Sequence, residues 1–122
     1  MTKKKSGLKS TLGSFRFAFS GLTVLIKNEP NAGIHLIAAV MAIVMGIVFH
    51  LGITEWGILL GAIGLVFITE LINSSIELMA DMIDPNINPQ IKKIKDYGAA
   101  SVMISAIIAV IAGGIIFLPK LF

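Results

Sequence analysis

The stretch from Trp56 to Ile83, WGILLGAIGLVFITELINSSIELMADMI, decides the fold of this chain. Trp56 through Thr69 carries no ionisable side chain, whereas the second half carries Glu70, Asn73, Glu77 and Asp81. On a helix, 100° per residue places these four at roughly 0°, 300°, 340° and 20°, one polar stripe under a quarter-turn wide. At about 1.5 Å per residue the segment is longer than the ~30 Å a bilayer core requires. With Trp56 at the outer aromatic belt, Glu70 lies about 21 Å in and Glu77 about 31 Å in, at the opposite interface. Asp81 then stands in water. Carboxylates beside a hydrocarbon-grade segment are costly unless a cation, a proton or a partner offsets them.

Composition carries the membrane reading to the whole chain. Of its 122 residues 56% are hydrophobic and only 14% charged, with a mean hydropathy of +0.91. Ordinary soluble domains are about 25% charged, and a core this small cannot hide so much apolar surface. The length fits one domain. There is no cysteine, which excludes disulfides and thiolate metal sites.

The flanks of Trp56–Ile83 complete an all-α membrane protein. Residues 1–30 form a basic arm and an amphipathic helix in which Leu8, Leu12, Phe15, Phe19, Leu22 and Ile26 share a face suited to the interface. Pro30 is expected to break it. Residues 33–52 are the first span, with His35 and His50 near its ends as interfacial side chains, and residues 55–83 the second. Residues 84–95 read as a turn-rich, basic loop and 97–118 as the third span, ended by Pro119. Small residues at Gly57, Gly61 and Gly64, and at Ser101, Ser105, Ala109 and Gly113, suit close helix approach, within one chain or between protomers.

Lysines set the orientation. Lys3, Lys4, Lys5, Lys9, Arg16 and Lys27 precede the first span, and Lys92, Lys93 and Lys95 precede the third, while the first connection has none. The positive-inside rule puts the amino terminus and the second connection in the cytosol and the carboxyl terminus outside. The +3 charge serves topology and anionic lipid, since no aromatic-basic interleaving suggests nucleic acid. A signal peptide is not expected, because the segment after the basic start is amphipathic.

The acidic stripe is where chemistry is expected. Glu70, inside the membrane, is a plausible proton acceptor for a hydroxyl at its depth, with an interhelical hydrogen bond as the blander role. Asn73 can orient Glu70 or a substrate oxygen, or simply join helices. Glu77 at the interface suits Mg²⁺, which takes one or two carboxylates and keeps phosphate oxygens as further ligands; Glu29 is the natural second carboxylate. Asp81 either binds metal or sugar or is solvated. Lys95, near a helix start, suits phosphate. No GxxxxGKS/T phosphate loop, HExxH or GxSxG is present. The residues alone leave two classes open: a metal-assisted enzyme acting on a lipid headgroup, or an ion-coupled transporter with Glu70 as proton relay.

The run Glu70-Leu-Ile-Asn73-Ser-Ser-Ile-Glu77-Leu-Met-Ala-Asp81, followed by Lys95-Asp96-Tyr-Gly-Ala-Ala-Ser-Val, resembles the signature of the small prokaryotic diacylglycerol kinase family, which includes the undecaprenol kinases. The similarity extends from Ser14-Phe-Arg-Phe-Ala-Phe-Ser-Gly21 through Asn28-Glu29 and Ile34-His35 to Phe117-Leu-Pro-Lys120. It implies a surface helix plus three spans in the bacterial cytoplasmic membrane, a homotrimer with sites between protomers, and ATP- and Mg²⁺-dependent phosphorylation of diacylglycerol or undecaprenol. By motif position Glu70 resembles the proton acceptor, also touching the lipid, and Glu29 and Glu77 the metal-bridging carboxylates. Lys95 and Asp96 resemble nucleotide contacts, and Asn86, Ile87 and Asn88 match a segment that wraps ATP. Gly33 stands where relatives commonly carry Arg, Phe17 where a Tyr hydroxyl near the nucleotide is common, and Ala80 where a branched residue is commoner.

Overall fold

A computed structural model describes residues 7–122, so Lys3, Lys4 and Lys5 of the basic arm lie outside the described residues. Four helices follow one another: α1 Leu8–Asn28, α2 Pro30–Val48, α3 Ile53–Ile83 and α4 Pro89–Leu121. The last three are each long and apolar enough to cross a membrane.

The break between α1 and α2 is a single residue. Glu29 is extended (φ −111°, ψ 110°) and Pro30 is the first residue of the next helix. Proline pushes its predecessor out of the helical region, and its missing N–H costs nothing in a first turn. Pro30 therefore starts α2 three residues before the expected span and does not merely end α1. At the other end α2 stops at Val48, and His50 reverses the chain with φ 53°. Gly52 caps α3, its N–H donating to Glu55 Oε1 at 3.1 Å.

The second connection is shorter than expected, only residues 84–88. Asn88 Oδ1 accepts the Gln90 N–H at 2.9 Å and Pro89 sits in the first turn, a strong helix start. The basic segment Lys92–Lys95 is thus the opening of α4 and not loop. Pro119 does not end α4 at once; it lies in the last turn, where little helix is left to disrupt.

α3 and α4 form the principal packed pair. Their contacts run in opposite order: Asp81 meets Lys95, Asn73 meets Gly98, Thr69 meets Ser105, and Glu55 meets Lys120. That descending register defines an antiparallel hairpin. At its turn-distal end Leu51, Leu59, Ile116 and Phe117 pack together with Phe49 and Trp56 around them. The Phe49 and Phe117 rings are tilted, with centroids 6.2 Å apart. Trp56 lies against Gly46, where a Cβ would come within 2.8 Å of the indole. Much of the remaining apolar surface, including Ile37, Met41, Val44, Ile68, Ile104 and Val110, faces outward.

The small and apolar stripes make few contacts within the single chain. A Cβ at Gly57, Gly61 or Gly64 would meet nothing, so α3 makes no close approach there; Gly46 and Gly98 are the tight glycines. On α1, Leu8, Leu12, Phe15 and Phe19 are exposed, the arrangement of a face left for lipid, while Leu25 is the residue buried against the rest of the chain.

Candidate active site

α3 carries its polar residues along the surface that α4 and α2 cover, which is why Glu70 and Asn73 are buried although charged or polar. Glu70 is only 4% exposed. Its Oε1 has no hydrogen-bond partner, and His35 Nε2 from α2 stands 3.2 Å away, close but not aligned as a hydrogen bond. His35 is therefore not the interfacial side chain expected of it. Its signal was in the sequence: Ala32, Ala39 and Gly46 are buried, and 35 falls on their face at three- and four-residue spacing. His50, by contrast, is exposed.

One turn further, Asn73 Nδ2 makes a long contact of 3.4 Å to Glu77 Oε1, while its Oδ1 is buried and unpartnered. α4 passes this amide only because residue 98 is glycine; a Cβ there would lie 2.2 Å from Asn73 Oδ1. On the other side of Glu70, the Thr69 and Ser105 hydroxyls lie 2.8 Å apart and tie the two helices. Ser105 is 2% exposed. Of the expected small stripe on α4 it is the only fully buried member.

Glu77 is half-buried and Asp81 is exposed. Lys95 Nζ reaches Asp81 Oδ1 at 2.6 Å across the hairpin, and Lys92 Nζ binds Asp96 Oδ2 at 2.5 Å along α4. Both residues of the Lys95-Asp96 pair expected at a nucleotide thus hold partners of opposite charge. The connection 84–88 is organised by Asp84: its Oδ1 accepts the Asn86 N–H and its Oδ2 the Asn88 side-chain amide, each at 3.0 Å. The Asn88 bond first, and then the Asn86 N–H, holds the Asp84 carboxyl below the usual aspartate range. Sequence reasoning missed this residue, although an Asp two residues before an Asn is an Asx-turn signal. A cavity of about 460 Å³ lies inside the turn, lined by Asn86, Ile87, Asn88, Lys92, Lys95 and Asp96. The candidates expected at a nucleotide on this side of the chain therefore surround one hollow. Phe17 on α1 is exposed and lines no part of it.

Glu29 is half-buried at the α1–α2 break. Among the described residues no three His, Asp or Glu side chains are grouped as a metal site, and no ion pair occupies Glu29 or Glu77. Glu29 at the α1–α2 break and Glu77, which carries only the long Asn73 contact, each present the hard oxygen donors that Mg²⁺ takes.

A second cavity, about 400 Å³ and almost wholly apolar, runs between α2, α3 and α4 from His35 to Phe117, with Ala38, Ala42, Ala62 and Ala109 among its walls. The buried acid and imidazole stand at one end of a greasy groove; the turn with its lysines stands beyond them.

The family described as Prokaryotic diacylglycerol kinase matches residues 16–117. Undecaprenol kinase of Bacillus subtilis (strain 168) is 38% identical over 108 residues, covering 88% of this chain and 88% of that protein. Diacylglycerol kinase of Synechocystis sp. is 34% identical over 90% of this chain and 63% of that protein. Diacylglycerol kinase of Haemophilus influenzae is 32% identical over 93% of this chain and 98% of that protein.

Proposed function

The chain belongs to the prokaryotic diacylglycerol kinase family, and from that premise we propose that it transfers the γ-phosphoryl group of ATP to the hydroxyl of a membrane lipid. The observation that carries the reading is Glu70: a carboxylate 4% exposed, with one oxygen unpartnered, at the head of an apolar groove. A structural carboxylate in so dry a place would be expected to complete its hydrogen bonds. Among the described residues neither Glu70 oxygen takes part in a hydrogen bond, so the carboxylate is free to accept a proton.

Glu70 removes the proton from the lipid hydroxyl, and Asn73 steadies the oxygen that carries it. Glu29 and Glu77 hold Mg²⁺, which offsets charge on the phosphoryl group when bound. Lys95 contacts phosphate, exchanging its Asp81 partner for the nucleotide, and Asp96 with residues 86–88 holds the rest of it. Phe17 belongs to the nucleotide side of the site without the hydroxyl a Tyr would bring. The acceptor is undecaprenol or diacylglycerol, each with a primary hydroxyl at the interface; the Bacillus relative favours the first. The protein works as a homotrimer in the bacterial cytoplasmic membrane, amino terminus inside and carboxyl terminus outside, with α1 on the surface. The bare helix surface at Gly57, Gly61 and Gly64 offers room for a neighbouring protomer.

The test is purified protein given labelled ATP, Mg²⁺ and each lipid separately, beside Glu70→Gln. We expect labelled lipid phosphate from the wild type and a loss of about 10²- to 10⁴-fold in the variant with ATP binding retained. Near-normal turnover in Glu70→Gln would remove the base. Uptake driven by an ion gradient without nucleotide would instead favour a transporter.

A further inference from the structure

We infer that His35 is the positioning residue of Glu70. The α2 imidazole donates from Nε2 to Glu70 Oε1, which leaves Oε2 as the oxygen that takes the lipid proton. The inference rests on the reading of Glu70 as proton acceptor.

The geometry leaves Glu70 little choice of partner. Its Oε1 is buried, accepts no hydrogen bond, and has His35 Nε2 at 3.2 Å. Neighbouring polar groups are committed elsewhere. Thr69 pairs with Ser105 and with the Val66 carbonyl, and the Asn73 amide points toward Glu77. Three lysines of the hairpin are engaged as well, Lys95 with Asp81, Lys92 with Asp96 and Lys120 with Glu55, and Lys93 is exposed in the first turns of α4. Among the described residues, His35 makes the sole charged or polar side-chain contact to Glu70.

His35 also lines the apolar groove, whereas Glu70 does not. A hydroxyl that travels along that groove meets the imidazole before the carboxylate. Loose geometry in the absence of substrate is common for catalytic pairs and tightens on binding, so a small rotation of the ring aligns the 3.2 Å contact. During transfer the lipid O–H bond breaks and its proton goes to Oε2. The lipid oxygen bonds to the γ-phosphorus, the bond from that phosphorus to the β–γ bridging oxygen breaks, and ADP leaves. His35 keeps its Nε2 proton throughout.

His35→Leu and His35→Gln test this in the full-length protein, reconstituted with undecaprenol or diacylglycerol and Mg-ATP, with Glu70→Gln alongside. Leucine keeps bulk and removes the donor; the glutamine amide reaches about as far as Nε2 and restores it. We expect His35→Leu to lower kcat about 10- to 100-fold, the scale of misplacing a reacting group, with the KM for ATP within about twofold of wild type. His35→Gln should recover most of that loss, an outcome that a packing role does not predict. Independently of any His35 variant, ¹⁵N-histidine spectra should show the His35 resonance moving in Glu70→Gln while exposed His50 stays put. The inference is overturned if His35→Leu keeps kcat within about twofold, if an assembled His35→Gln is no better than His35→Leu, or if the His35 resonance ignores residue 70. An inactive Glu70→Gln with an unaffected His35→Leu sinks this inference alone; a fully active Glu70→Gln sinks the base reading and this inference with it.

Discussion

Gly98→Ala is a one-methyl perturbation whose consequence can be worked from distances. The added Cβ would lie 2.2 Å from Asn73 Oδ1, 3.3 Å from its Cγ and 3.8 Å from its Cα. Only the first is a severe clash, and it falls on the end of a side chain, so the amide can swing aside while the helix backbones stay close. Overpacking costs about 1–3 kcal/mol, and this escape argues for the lower end, about 1 kcal/mol. Activity should suffer more than stability. Once turned, the amide loses its contact to Glu77 and with it the position it holds one turn from Glu70. Catalysis tolerates misplacement poorly, and a displaced positioning group costs on the order of 10²-fold. The assay is kcat on lipid together with detergent-induced unfolding of the same preparation. Asn73→Ala supplies the control: in the double variant the clash is gone, so the two stability losses should add to less than their separate values. A Gly98→Ala protein with full turnover, or one whose loss of stability is unrelieved by Asn73→Ala, would refute the reasoning.

Further outcomes follow from other parts of the site. Glu77→Gln should weaken Mg-ATP affinity in a binding titration while leaving apo-protein stability nearly unchanged, since Glu77 makes only the 3.4 Å contact to Asn73. Lys95→Ala frees the exposed Asp81 carboxylate beside the turn cavity, so we expect weaker ATP binding, partly restored by Asp81→Asn. Asp84 has its carboxyl lowered in the folded protein, so the order it gives the turn is present above the unfolded value near ~3.9 and is lost as pH falls through the folded value. The protection factor of the Asn86 amide, exchange being corrected for its intrinsic pH dependence, should therefore be flat between about pH 5 and 8 and fall only in stronger acid. Asp84→Asn should expose that amide at neutral pH.

The three apolar helices were legible because hydrocarbon tolerates few side chains, and Glu70 was conspicuous because it broke that rule. Burial singles out Glu70 and Asn73 from the acidic stripe, whereas Asp81 is a salt-bridged surface acid. Helix ends were less readable. Pro30 and Pro119 are identical residues to a pattern search, yet one opens a helix and the other sits inside a last turn. What separates them is the residue in front: Glu29 leaves the helical region before Pro30, whereas the chain before Pro119 stays helical, and that is a property of the fold. Glycine was least informative: Gly57, Gly61 and Gly64 have the spacing of a contact seam but open space beside them, while isolated Gly98 is where two helices touch. Packing partners choose the tight glycine, and a single chain read alone carries no record of the partner. His35 was missed for a related reason, since its neighbour in space, Glu70, lies on another helix far along the sequence.

The hairpin arranges these parts along a gradient of polarity. Trp56, Leu59, Ile116 and Phe117 close one end, and Asp81, Lys95 and the Asp84 turn occupy the other. Glu70 falls between them, about 16 Å along the helix from Leu59 and about 16 Å from Asp81. That middle position answers a constraint of the substrates. A lipid hydroxyl tethered to hydrocarbon resists entering water, and a triphosphate cannot enter hydrocarbon, so the phosphoryl group must be handed over at a fixed depth. Glu77, about 10 Å along the same stripe toward water, is placed for the metal-bound end of the transfer, and Glu70 for the proton end. Moving the acid one turn in either direction would uncouple the two. Burying it beside His35 keeps it at its level without filling both oxygens, and a surface carboxylate could not be held so.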